Sequence, residues 1–424
     1  GPLLAELVAH EVGHTLGLRH NFKASSIYTL EQINSDEIKG KKPLAGSVMD
    51  YLPINIVAEE GKPQGDWSMI GIGPYDEWAI EYGYTLKDSN LKKILARVGE
   101  PELVYGTDEE TGGPDPRARR YDFGKNPINY ARNQMALVEK HRARLVDGFV
   151  KDGESWARTR YGYELSLSLQ LRSVSMMANW MGGSLTTRAR KGDKNVPRPV
   201  EVVACDKQRA ALKFVIENSL RDEAYGLTPE LLAHMTVDKW LDAGSLFSFS
   251  SEATWPIHDQ IGSIQASILS MLMNPTTLRR VYDNELRVPA DQDAVTLPEI
   301  LSSLTDAIWG ELEKNPDKQY TARVPLVSSL RRNLQQEHLG RLVDLSIPSD
   351  RETNESDKPI ANLASAELSR ILANIDRILS NGKARKMADP YTVAHLLKLK
   401  EQVDKLRDSQ FIYNASDVGG GGGG

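Results

Sequence analysis

Three of the chain's eight histidines fall in one short stretch, AHEVGHTLGLRH, which holds His10, His14 and His20. On an α-helix His10 and His14 are one turn apart, so both imidazoles project from one face, about 6 Å apart along the axis. That spacing suits two nitrogen ligands to a single small metal ion. Glu11 is offset from His10 by about 100° around the helix. It is badly placed to bind the same ion and well placed to take a proton from a water beside it. His20 is the third candidate ligand. A continuing helix would turn it about 240° away from His14, so it joins the other two only if the helix stops between them. Gly17 lies in that interval, and glycine is the residue that lets a helix end in a left-handed turn. The stretch therefore predicts a broken helix, three histidines around one Zn2+ and a fourth position open to water, as a catalytic site requires.

These residues need elements to hold them. Pro2 suits a first helical position, and Leu3, Leu4, Leu7, Val8 and Leu16 recur with partial helical period, so residues 1–18 read as a helix. Residues 23–74 are rich in Gly, Pro, Asn and Ser and read as irregular, and YDEWAIEYGY (75–84) reads as a short helix opened by Pro74. Residues 91–127, with the acidic run GTDEETGGPDP, read as a linker or long surface loop. A helical domain is expected over 128–285, starting with INYARNQMALVEKHRARLV and interrupted by a β hairpin near 183–204. A helical bundle is expected over 286–418. There Leu368, Ile371, Leu372, Ile375 and Leu379 mark one helix face, and Leu396, Leu399, Val403 and Leu406 mark another. Asp389 and Pro390 form an N-cap and first-residue pair for the latter. The closing glycines (419–424) read as a flexible tail. The expected fold class is mainly α.

HEVGHTLGLRH matches HExxHxxGxxH, and in this it resembles the zinc signature of the metzincin metallopeptidases. SVMDY (47–51) resembles the methionine turn that the clan places beneath the metal, with Met49 as its methionine. The resemblance implies that Met49 supplies an apolar floor and no chemistry. Tyr51 resembles the tyrosine that astacin-like and serralysin-like members place near the zinc, where it adds a weak ligand or hydrogen-bonds the tetrahedral intermediate. IGPYDEWAIEYGY (72–84) resembles the helix that closes the catalytic domain. Together with GLRHNF it is most similar to large bacterial zinc-dependent metalloproteases in which a long helical region follows the catalytic segment. Those are typically exported, which implies an extracytoplasmic location. The implied activity is hydrolysis of peptide bonds in a protein or peptide substrate by a zinc-bound water that Glu11 activates. The loop LPINIVAEEGKPQGDWSMIG would line the primed-side pocket. Residues 1–90 would be the C-terminal part of the catalytic domain, and the sheet-rich half that precedes it in the clan is expected to lie outside this chain.

Two other readings compete. In another class of HExxH enzymes a downstream glutamate is the third ligand, and Glu31, Glu37, Glu77 and Glu81 are the candidates. The other is a zinc-binding but inactive fragment, or a helical partner-binding module. Composition narrows the field. Net charge is -6 and no basic stripe dominates, which argues against a nucleic-acid partner. The single cysteine, Cys205, rules out an intrachain disulfide. No apolar run reaches the ~20 residues of a membrane span. The acids of residues 106–124 have the carboxylate and glycine content of a Ca2+ site but not the EF-hand spacing, and a solvated loop is the plainer reading. His141, His234, His258, His338 and His395 are expected in surface or core hydrogen bonds. Met176, Met177, Met181, Trp156, Trp180, Trp240 and Trp255 are expected to be packing residues.

Overall fold

The computed structural model describes residues 1–193, 196–238, 253–347 and 355–419, with side chains as far as residue 405. Trp240, the side chain of Leu406 and the closing glycines 420–424 lie outside the described residues. The fold is mainly α, with one two-stranded antiparallel hairpin among the described residues. It divides into two compact units. The first comprises Gly1–Val215, Gly226–Trp255 and Arg287–Asp293; the second comprises Ile216–Tyr225, Pro256–Leu286 and Ala294–Gly424. These boundaries differ from the five segments read from the sequence.

The first unit opens with α1 (Pro2–Thr15), with Pro2 at its first position. The helix stops because Gly17 takes φ +85°. Gly17 N–H then donates to His14 O and Leu18 N–H to Gly13 O, both at 3.0 Å, which satisfies two carbonyls the helix would leave bare. Helix α1 buries His10 and Gly13. Its aliphatic stripe does not face this unit's core: Leu3, Leu4, Leu7, Val8, Val12 and Leu16 are exposed. Residues 23–73 are irregular apart from short turns at Ala24–Ser26 and Leu30–Ile33. Helix α2 (Pro74–Tyr84) starts at the expected proline, and α3 (Asp88–Leu95) follows.

Residues 91–127 are not a spacer. Their backbone pairs with the segment just after the histidines and with the turn that carries Met49: Phe22 N–H donates to Gly106 O (2.7 Å), Arg119 N–H to Phe22 O (3.0 Å), Tyr121 N–H to Tyr51 O (2.8 Å) and Gly124 N–H to Ser25 O (3.0 Å). Their acids are taken up by cations of the chain. Asp115 pairs with buried Lys23 (2.9 Å) and with Arg117 (2.7 Å), Glu109 with Arg19 (2.7 Å) and Glu110 with Arg188 (3.4 Å). A Ca2+ site in this run therefore finds its carboxylates already engaged. Beyond it, α4 (Pro127–Arg142) packs on α5 (Ala157–Ala178), where Arg142 bonds Ser166 Oγ at 2.9 Å and Gln170 Oε1 at 2.6 Å. The hairpin of β1 (Ser184–Thr186) and β2 (Val200–Val202) lies where the sequence predicts it, with Ser184 opposite Val202. Helix α6 (Cys205–Ser219) follows. Met176, Met177, Met181, Trp180 and Trp255 are buried packing residues, whereas Trp156 is 42% exposed.

The second unit is built from α7 (Ile257–Leu272), α8 (Pro275–Glu285), α9 (Leu297–Trp309), α10 (Ser329–Ser346), α11 (Asp357–Ser380) and α12 (Pro390–Gly419). Helix α11 is central and packs on α8, α9, α10 and α12. Its Leu368, Ile371, Leu372 and Ile375 are buried, as are Leu396, Leu399 and Val403 of α12. Asp389 caps α12 by accepting from Thr392 N–H at 3.0 Å. The scattered histidines each hold a hydrogen bond: His141 with Gly162 O, His234 with Glu230 O, His258 with Ser329 Oγ, His338 with Trp309 Nε1 and His395 with Gln335 Oε1. No helix among the described residues is long and apolar enough to cross a membrane.

Candidate metal centre

The break at Gly17 brings His20 back over the end of α1. The ring centroids of His10 and His14 are 4.8 Å apart, those of His14 and His20 4.8 Å, and those of His10 and His20 5.3 Å. One ligand nitrogen from each lies within 4.8 Å of the others, a group of the size that holds a metal ion. Among the described residues no aspartate or glutamate joins that group, so Glu31, Glu37, Glu77 and Glu81 do not complete it.

Which nitrogens face the common point follows from hydrogen bonding. His10 Nδ1 is bonded to Val48 O at 2.8 Å, His14 Nδ1 to Leu18 O at 3.0 Å and His20 Nδ1 to Asp108 Oδ2 at 2.9 Å. Each partner can only accept, so every Nδ1 carries the hydrogen and the neutral ring keeps its lone pair on Nε2. The Nε2 atoms of His10 and His20 are buried and have no partner in the protein. Orphaned acceptors of this kind are costly unless a ligand takes them. Burial holds the His10 imidazole below its ordinary pKa, and the neighbouring His14 and His20 push it the same way. Neutral rings with oriented lone pairs are what a metal needs. The residues present fit a zinc ion.

The floor is built by two later segments. Met49 is fully buried, and a Cβ on Gly13 would collide with its sulfur. Gly13 therefore has a packing role that its helical position alone does not announce. The turn around Met49 is gripped by Asp76, in the first turn of α2. Asp76 accepts from Ser47 Oγ (2.5 Å), Val48 N–H (2.7 Å) and Gly73 N–H (2.8 Å). Burial raises its pKa while these donors pull it down. Val48 thus donates its N–H to Asp76 and accepts from His10 at its carbonyl, so α2 orients the first histidine through the backbone of a single residue.

The wall is aromatic. Half-buried Tyr51 stacks on His10 (5.2 Å between centroids) and meets His20 edge-on (4.7 Å), while Phe22 stacks on His20 (5.0 Å). The Arg120 guanidinium lies over the Phe22 ring at 4.8 Å and bonds Asp108 Oδ1 at 3.1 Å. Tyr121, next to it, is the one non-glycine residue in the left-handed region among those described, with φ 64°. Glu11 is exposed on the turn of α1 between His10 and His14. His10, His14 and His20 thus come together, with Tyr51 against two of their rings and Met49 against Gly13, while Gly17 supplies the turn and Glu11 adjoins His10 on the exposed side of α1. Gly13, Asp76, Asp108 and Arg120 complete the site without a signature of their own.

A histidine triad delivered by a glycine break and floored by a methionine turn is the arrangement of a metzincin-type metallopeptidase. A family model described as Met-zincin matches residues 1–316, and the chain belongs to that family. The match extends well beyond the segment 5–85 that carries the recognisable motifs, into the helical region. No curated protein and no solved structure matched the chain.

Proposed function

We propose that this chain carries the catalytic centre of a zinc-dependent endopeptidase, with His10, His14 and His20 as ligands of one Zn2+ and Glu11 as general base. The observation that supports it most is the set of three Nε2 lone pairs turned to one point, two of them buried and unpartnered. When bound, the ion supplies Lewis acidity to a water and to the peptide carbonyl. Glu11 takes the proton of the attacking water and hands it to the leaving amine. Tyr51 donates a hydrogen bond to the developing oxyanion, and Met49 contributes only an apolar floor. The loop after Tyr51 lines the primed side of the cleft. The resemblance of GLRHNF and IGPYDEWAIEYGY to exported bacterial proteases is what supports an extracytoplasmic site of action.

The test is metal content alongside peptidase assay. The wild-type chain should hold one zinc per mole, and His20→Ala should lose it. Glu11→Ala should keep zinc while cleavage falls by roughly 10²–10⁴. Cleavage that survives in Glu11→Ala would overturn the assignment of the base. Zinc that survives in His20→Ala but disappears in a variant of Glu31, Glu37, Glu77 or Glu81 would overturn the ligand set.

A further inference from the structure

We infer that Asp108 is a positioning residue for the metal centre: its carboxylate fixes the third histidine, and Arg120 fixes the carboxylate. The inference rests on the reading of His20 as a metal ligand and adds to it a dependence on a segment outside the recognisable motif. The three Nδ1 atoms are not held alike. His10 and His14 donate to the backbone carbonyls of Val48 and Leu18, whereas His20 donates to a carboxylate 88 residues further along the chain. A carboxylate partner raises the basicity of the opposite ring nitrogen more than a carbonyl does, and it locks the ring's rotation. His20 has the greater need. It lies beyond the end of α1, where no helical backbone sets its direction.

Asp108 is itself held. Its Oδ1 accepts from Arg120 Nη2 at 3.1 Å. Arg120 is seated on the Phe22 ring at 4.8 Å and on the Tyr51 ring at 5.7 Å, so the same cation braces the carboxylate and the aromatic wall. Thr107 and Glu110 close a capping box around the turn that carries Asp108, with Thr107 N–H donating to Glu110 Oε2 at 2.8 Å. The next acid, Glu109, turns to solvent-exposed Arg19 instead (2.7 Å), which makes it a control in the same turn.

The experiment is zinc affinity of the purified chain by competition with a chromophoric chelator, with imidazole nitrogen NMR of the zinc-free protein beside it. Asp108→Ala should weaken zinc binding by about 10–100-fold, with Asp108→Asn between it and wild type. Asn keeps the size and one acceptor, so that variant reads the effect of charge in a folded protein. Glu109→Gln should bind zinc as wild type does. In the zinc-free protein the His20 ring should show a fixed Nδ1–H tautomer that Asp108→Ala releases, with His10 and His14 unchanged. The inference is overturned if both Asp108 variants bind zinc as tightly as wild type and the His20 tautomer stays fixed. If instead His20→Ala binds zinc as tightly as wild type, the ligand reading itself is what has failed.

Discussion

Gly13 and Gly17 are both glycines of the motif, and they are glycines for different reasons. At Gly17 a Cβ would meet nothing within 4 Å, so space is not the issue; its φ of +85° is. An L residue there pays on the order of 1–2 kcal/mol in backbone conformation. At Gly13 the backbone is ordinary helix, and the obstacle is the Met49 sulfur. Alanine at position 13 would gain up to about 1 kcal/mol of helix propensity. It would also overpack a fully buried contact, at roughly 1–3 kcal/mol. Gly13→Ala should therefore be destabilising, and Met49→Ala in the same chain should restore part of the loss by making room. Urea denaturation of the two single variants and the double variant measures this directly. Additivity within about 0.5 kcal/mol would mean the two residues do not press on each other.

At the scale of elements, α2 acts on α1 through the turn between them. Asp76 accepts from Ser47, Val48 and Gly73, and its removal would strand buried donors at roughly 1–3 kcal/mol each. Asp76→Ala should lower the melting temperature and also weaken zinc binding, because the Val48 carbonyl that holds His10 loses its anchor. Asp76→Asn should do the same more mildly. A melting temperature and a zinc affinity both equal to wild type would show that the turn holds itself. None of this coupling was visible in the sequence, and the reason is distance along the chain. The broken helix, the start of α2 at Pro74, the hairpin near 183–204 and the cap at Asp389 are each written in a few neighbouring residues. The bond from Val48 to Asp76 spans 28 residues and the bond from His20 to Asp108 spans 88. Acids 108–110 have the same composition whether water or cations surround them, so composition alone does not separate a solvated loop from one whose Asp108 holds His20.

At the scale of the molecule, Asp122 in the first unit and the buried histidines His338 and His395 in the second have linkages to pH of opposite sign. In the first, Asp122 accepts from Ser25 Oγ at 3.1 Å beside buried Asp50, and burial raises it to about 7 although Arg119 pulls it down. Its folded pKa lies above the unfolded value of about 3.9, so its contribution is full below pH ~4 and is lost as pH rises through 7. In the second unit burial lowers His338 to about 3, and burial with Arg332 lowers His395 to about 4. Their folded values lie below the unfolded value of about 6.5, so their contribution is full above that pH and is lost as pH falls toward 4. Acidification from pH 7.5 to 5 should thus weaken α9 and α10 while relieving the strain of a buried charge near α4. Amide hydrogen exchange, corrected for intrinsic rates, resolves the units separately. Protection in α9 and α10 should drop over this range, and His338→Gln, which keeps an acceptor for Trp309 Nε1 but cannot take a proton, should flatten the drop. Asp122→Asn should remove the opposite contribution that Asp122 makes around α4 and leave the second unit unchanged. If α9 and α10 are equally protected at pH 7.5 and 5, the buried histidines are not what ties the second unit to pH.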